Sequence, residues 1–144
     1  MEIATVGFTQ SSAEHFFERL RSARVRRLVD VRLNNVSQLA GFAKSGDLAY
    51  FLDKLLGASY EHDTRLSPTA ELLSGYRAKQ IAWQEYEPGF FELMEERGVP
   101  EIIDRGPYET KTALLCSEAT PERCHRRLVA ELMASAWNAR IEHL

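Results

Sequence analysis

Residues 3–31 read IATVGFTQSSAEHFFERLRSARVRRLVDV, and this stretch decides the fold. Ile3 to Val6 form a short apolar run that Gly7 ends, as a strand does. Ser11-Ser12-Ala13-Glu14 has the spacing of a capping box, with Ser11 as the cap and Glu14 reaching back to its amide. The helix behind it carries Phe16, Phe17 and Leu20 on one face. Arg27-Leu28-Val29-Asp30-Val31 is a second strand. Strand, helix and strand within about thirty residues make a βαβ unit, and such a crossover joins parallel strands.

The same alternation continues outward. After a polar loop from Leu33 to Gly46, Asp47 is positioned to cap a helix bearing Leu48, Phe51, Leu52, Leu55 and Leu56, closed by Gly57. Ala58 to His62 read as a brief third strand. Helical patterns cover 68–84 and 88–97, and Lys111 to Cys116 form a fourth strand. Thr120-Pro121 is the expected cap and first turn of the last helix, and 139–143 fit one more short strand. The expectation is one α/β domain over residues 1–144, with a mainly parallel sheet of four to five strands and helices on both faces.

Composition agrees with a globular chain. Hydrophobic residues make up 44% and charged residues 27%, and the net charge of −3 is too small to imply a polyanionic partner. No apolar run approaches the roughly 20 residues that span a bilayer. The opening MEIATVGF has neither the basic nor the apolar block of a signal peptide, so a cytoplasmic protein is expected. In that reducing compartment the two cysteines are expected to stay as thiols, or to serve a metal or redox role, rather than to form a structural disulfide. Arginine outnumbers lysine 14 to 4, and its planar fork suits carboxylates and phosphates.

The chemistry concentrates in residues 116–126, CSEATPERCHR. Cys116 ends a strand, where open α/β sheets collect ligands. Glu118, two residues on, would share its face if the strand continued. Cys124 falls near the start of a helix, where the dipole favours an anion and lowers a thiol pKa. Its spacing from Leu128 equally suits a small buried apolar residue. His125 could serve as base, ligand or anion donor. Arg126 could pair with Glu122 four residues earlier, and Arg127 with Glu131.

Asp30 and Arg32 form the second cluster. A parallel strand is buried on both sides, so an ionised Asp30 needs hydrogen bonds or a cation. Either Asp30 organises loop amides, or it fixes Arg32 toward a ligand crevice. Thr9, Arg32, His62 and the Cys116–Glu118 pair would all lie at one sheet edge, together with the short polar residues Asn34, Asn35, Ser37 and Gln38. Dinucleotide, phosphate-loop and nucleophile-elbow motifs are absent, leaving the cofactor unassigned. A cysteine-phosphatase loop fails on spacing. A Cys116–Cys124–His125 metal site completed by His62 would crowd adjacent ligands onto one helix start, and no metal is assigned.

Four segments together resemble the DUF488 family, small proteins named for lacking an assigned function: TVGFT, LVDVRLNNVSQLAGF, YEHDTRL and LLCSEATPERCHRRLVA. The last, with its Leu-Cys-x-Glu and Cys-His-Arg, is the most specific. Leu66-Ser67-Pro68 stands where that family carries a double glycine. The likeness implies site positions at Asp30, Arg32, His62, Cys116, Glu118, Cys124, His125 and Arg126, and implies no reaction.

Three functions fit these residues. In an enzyme acting on a phosphate- or carboxylate-bearing substrate, Arg32 and Arg126 hold the anion with Asp30 and His62 beside them. Cys116 or Cys124 is then a nucleophile or redox thiol, His125 acts as its base and Glu118 orients the histidine. A noncatalytic module would bind nucleotide or nucleic acid through arginines, against which the near-neutral charge argues. A buried polar network would lock strands to the last helix without catalysis.

Overall fold

The computed structural model describes residues 1–36 and 40–144; Ser37 and Gln38 of the polar loop lie outside the described residues. Five strands form one parallel sheet: β1 (Glu2–Gly7), β2 (Arg27–Asp30), β3 (Ser59–His62), β4 (Thr112–Cys116) and β5 (Arg140–His143). Their order is β3-β2-β4-β1-β5. Between them run α1 (Ala13–Ser22), α2 (Ser45–Leu56), α3 (Ala70–Arg77), α4 (Trp83–Arg97) and α5 (His125–Trp137). The α/β expectation holds, with five strands and helices on both faces. No described helix is long and apolar enough to cross a membrane.

Side-chain alternation divides the core into two layers. Ala4, Val6, Phe8, Leu28, Ala113 and Leu115 pack with Phe16, Phe17 and Leu20 of α1 and Leu48 and Leu52 of α2. Ile3, Val29, Leu114 and Cys116 point the other way, toward Phe90 and Met94 of α4 and Leu128, Val129 and Met133 of α5. Both faces of the central strands are therefore apolar, as a doubly covered parallel sheet requires. Gly7 pairs in register with Cys116, and Asp30 with both Leu115 and His62. The C-terminal ends of β1, β2, β3 and β4 thus align at one edge.

Four helix starts differ from the sequence expectation. Ser12, not Ser11, caps α1, its hydroxyl accepting the His15 amide at 3.1 Å. Glu14 then falls one position short of the capping box. Helix α2 starts at Ser45, so Asp47 sits within its first turn, where it favours the dipole rather than capping. Helix α4 begins at Trp83 and carries Pro88 inside it. Burial of Trp83, Tyr86, Phe90 and Met94 along one stripe outweighs the roughly 3 kcal/mol that an internal proline costs. Thr120 and Pro121 belong to a turn closed by the Cys124 amide on the Pro121 carbonyl at 3.2 Å, and α5 starts only at His125.

Candidate functional site

The late start of α5 places Cys124 at its N-cap, in an extended conformation (φ −138°, ψ 136°). From there its sulfur meets Cys116 at the end of β4. The Sγ atoms of Cys116 and Cys124 and a ring nitrogen of His125 all lie within 4.8 Å of one another, and all three residues are buried. Both cysteines are free thiols.

His125 has a defined orientation. Its Nε2 is 2.7 Å from the Val31 carbonyl, which can only accept, so Nε2 carries a proton. Its Nδ1 therefore faces the Cys116 sulfur, 3.7 Å away. The Phe90 ring packs 5.6 Å from the imidazole and excludes water on that side.

The charges follow from this geometry. The neighbouring Cys124 thiol stabilises a Cys116 thiolate against the cost of burial, and the His125 charge adds to it, so the Cys116 thiol is drawn well below its ordinary value. Burial, then the adjacent Cys116 sulfur, holds the Cys124 thiol well above its own. Burial alone would lower His125, but the charge on Cys116 outweighs it and the imidazole is raised. These directions favour the thiolate form of Cys116 and the imidazolium form of His125, with the proton kept on Cys124.

Arg126 is fully buried. Its Nη1 donates to the Glu118 carbonyl at 2.6 Å and to Cys124 Sγ at 3.5 Å. Its Nε and Nη2 have no partner, and no carboxylate among the described residues lies within ion-pair range. The expected helical pair with Glu122 does not form, because Glu122 lies before the helix; Arg127 and Glu131 do pair, at 2.7 Å. Three donors could also surround a soft cation, but the guanidinium beside Cys124 opposes a dication there.

The second cluster has one rigid arrangement. Asp30 accepts from Arg32 Nε at 2.9 Å, from Nη2 at 2.7 Å and from the Arg32 amide at 3.1 Å. Tyr60 donates to the same carboxylate at 2.7 Å, and its phenol is driven far up by burial and by that bond. Arg32 also donates to the Ala43 carbonyl at 2.7 Å and stands over the Phe8 ring. Only 4% of Arg32 is exposed, yet its Nη1 has no partner among the described residues.

Arg32 and Cys116 are walls of one cavity of about 590 Å³, together with Thr9, Glu118, Cys124 and His125. Most of the expected site is thus brought together. Arg126 and Asp30 stay behind the wall and support it. His62 does not line the cavity; its Nε2 contacts the Arg32 carbonyl at 2.7 Å and fixes the chain leaving β2. Strand β4 stops at Cys116, so Glu118 does not share its face. The Glu118 side chain is exposed at the cavity, and the Val31 carbonyl, not that carboxylate, orients His125.

Sequence reasoning missed the opposite wall. Trp83 and Tyr86 of α4 line it, with their rings stacked at 5.1 Å, and Arg77 and Arg123 stand exposed beside it. Neither arginine has an ion-pair partner among the described residues. Three guanidiniums thus face a cavity whose one carboxylate is Glu118. Gly7 does more than end β1: a Cβ there would lie 1.7 Å from the Glu118 carbonyl oxygen and 3.0 Å from Arg126 Nη1. The glycine admits the carbonyl that holds Arg126.

A family model described as "Domain of unknown function DUF488" matches residues 12–133, well over half of the chain. No curated protein and no solved structure matches it.

Proposed function

The chain belongs to the DUF488 family, and from that premise we propose that it is a thiol enzyme acting on a small anionic substrate. The observation that carries this reading is the Cys116–His125 contact at 3.7 Å, set in the wall of a cavity lined by Arg32, Arg77 and Arg123. The unpartnered Nη1 of Arg32 and the two exposed guanidiniums receive the anionic group, a carboxylate or phosphate. Cys116 is the nucleophile. Its thiolate gives an electron pair to the electrophilic atom of the substrate. The leaving group departs with its bonding pair and takes a proton from Nδ1 of His125. Phe90 and the carbonyl of Val31 keep the imidazole in place for both steps.

The buried-network reading accounts for Asp30 and its partners but not for the cavity beside Cys116 or the exposed, unpaired arginines that line it. The test is labelling with limiting iodoacetamide at neutral pH, followed by peptide mass spectrometry. Cys116 is expected to take the label well before Cys124, and the His125→Ala variant to lose that preference. Labelling of neither thiol in the folded chain, or of both at equal rates, would sink the nucleophile.

A further inference from the structure

We infer that Cys124 is the resolving thiol of a dithiol–disulfide couple, and that the electrophile in this cavity is a low-molecular-weight disulfide bearing carboxylates. The inference rests on the reading of Cys116 as nucleophile and names its substrate class.

The sulfur positions carry it first. The chain has only two cysteines, and the fold brings them within 4.8 Å of one another at the same cavity. A disulfide needs an S–S distance of about 2.05 Å, so the thiols must approach further. Cys124 sits at the N-cap with its amide on the Pro121 carbonyl and its carbonyl accepting from the Arg127 amide, so the approach is a movement of the two side chains rather than of the backbone. In an enzyme that only acylates or phosphorylates Cys116, the second thiol would do no more than stabilise the thiolate. In a disulfide exchange it is the group that completes the reaction.

The charges around the two sulfurs are unequal in the way that such a couple requires. Cys116 faces the imidazole of His125 and attacks first. Cys124 has Arg126 Nη1 at 3.5 Å, a cation that stabilises its thiolate once the proton leaves. No carboxylate among the described residues neutralises that guanidinium. The outer part of the cavity sets the substrate. Arg77 and Arg123 stand there unpaired, and Arg32 offers a free Nη1 further in. Separated carboxylates on a flexible disulfide can meet these cations one by one, and a volume near 590 Å³ has room for such a molecule.

The steps balance. The Cys116 thiolate attacks one sulfur of R–S–S–R, the S–S bond breaks, and the departing RS⁻ takes the proton from Nδ1 of His125 and leaves as RSH, giving Cys116–S–S–R beside a neutral imidazole. Cys124 then loses its proton to His125 and attacks the Cys116 sulfur. The second RS⁻ departs and takes that proton as RSH. One disulfide is reduced to two thiols, and the Cys116–Cys124 pair is oxidised to a disulfide.

Oxidised glutathione is the probe, used on the reduced full-length chain with intact-mass readout. The wild type is expected to release two glutathione thiols per chain and end two hydrogens lighter, with no adduct. The Cys124→Ser variant should stop at one glutathione on Cys116. Replacing Arg77 and Arg123 by Gln should slow the reaction roughly tenfold, and should slow hydroxyethyl disulfide, an uncharged disulfide, far less. A wild-type chain that retains one glutathione overturns the resolving role and leaves the nucleophile standing. Equal losses with both disulfides overturn the carboxylate-bearing class. No exchange with either disulfide, while iodoacetamide still labels Cys116, overturns this inference alone; failure of that label as well removes the proposed function.

Discussion

The imidazole of His125 is tied through Nε2 to the carbonyl of Val31, 94 residues earlier, at 2.7 Å. Val31 is itself fixed by its amide, which donates to the Leu115 carbonyl at 3.0 Å. The acid–base group of the site therefore hangs from the sheet rather than from its own helix alone. A carbonyl can only accept, so Nε2 is the donor in this bond and Nδ1 is the nitrogen that meets the sulfur. Sequence neighbours of His125 could not have supplied that orientation.

The first expected outcome concerns pH. Cys116 is faced by His125, Cys124, Arg126, Arg32 and Tyr86. Its thiol lies well below the ordinary 9.0, and His125 lies above 6.5. The depressed thiol contributes stability that is fully present above 9.0 and is lost as pH falls through its folded value. The raised imidazole contributes stability that is fully present below 6.5 and is lost as pH rises through its folded value. The ion pair exists between those two folded values. Iodoacetamide labelling of Cys116 should therefore stay fast from 9.0 down through neutrality, and His125→Asn should slow it about tenfold or more at neutral pH. A rate that falls tenfold per pH unit below 9.0 in the wild type would show an ordinary thiol.

A second outcome concerns Gly7. A methyl group there collides with the Glu118 carbonyl, and that backbone has no flexible end to give way. Moving the carbonyl strips the buried Arg126 of its 2.6 Å hydrogen bond. Gly7→Ala should cost about 3 kcal/mol, the sum of overpacking and a lost charged hydrogen bond. Gly46→Ala is the control: it lies in α2 with open space around its Cβ position, and it should stabilise by about 0.5–1 kcal/mol. Urea unfolding of both variants measures the contrast, and equal midpoints would refute it.

The sequence disclosed the parts of the molecule that local chemistry determines. The apolar runs at Ile3–Val6, Leu28–Val31 and Leu114–Leu115 could be buried on both faces only in a parallel sheet. Gly57 likewise closes α2 in the left-handed conformation its position demanded, at φ 62°. Proline misled twice, for opposite reasons. Pro88 looked like a start and lies inside α4, because the aromatic stripe from Trp83 to Phe90 outweighs it. Pro121 looked like a first turn and belongs to a separate turn. The signature residues around Cys116 were legible because they are dense in one segment. Arg77, Arg123 and Trp83 were not, since nothing local says that the ends of α3 and α4 and the approach to α5 meet across a cavity. Nor could spacing separate His62, which supports a backbone, from Arg32, which faces the space.

The third outcome separates two partners of one carboxylate. Tyr60→Phe removes one hydrogen bond from Asp30 and the 3.2 Å bond from Asn35 to the phenol, and leaves all three Arg32 contacts, so it should cost about 1 kcal/mol. Asp30→Asn leaves a guanidinium that is 4% exposed without its counter-charge, and should cost about 3–5 kcal/mol. Guanidinium chloride unfolding ranks them; a costlier Tyr60→Phe would mean that the phenol, not Arg32, anchors the loop.

The last outcome asks whether the outer arginines work on charge. Iodoacetate and iodoacetamide deliver nearly the same group to a thiolate, but only iodoacetate is an anion. With Arg32, Arg77 and Arg123 at the cavity, the iodoacetate rate at Cys116 should be high relative to iodoacetamide. Arg77 and Arg123 are exposed and unpaired, so replacing both by Gln should leave the fold intact. The rate ratio should then fall about three- to tenfold through the iodoacetate arm alone. Added salt should shrink the same ratio in the wild type, because exposed charges beyond about 8–10 Å are screened at physiological ionic strength. Arg32, buried and held by Asp30, should retain part of the preference in the double variant even at high salt. A ratio that neither the substitutions nor salt can move would mean that the anion, if one binds, does not reach Cys116 past these residues.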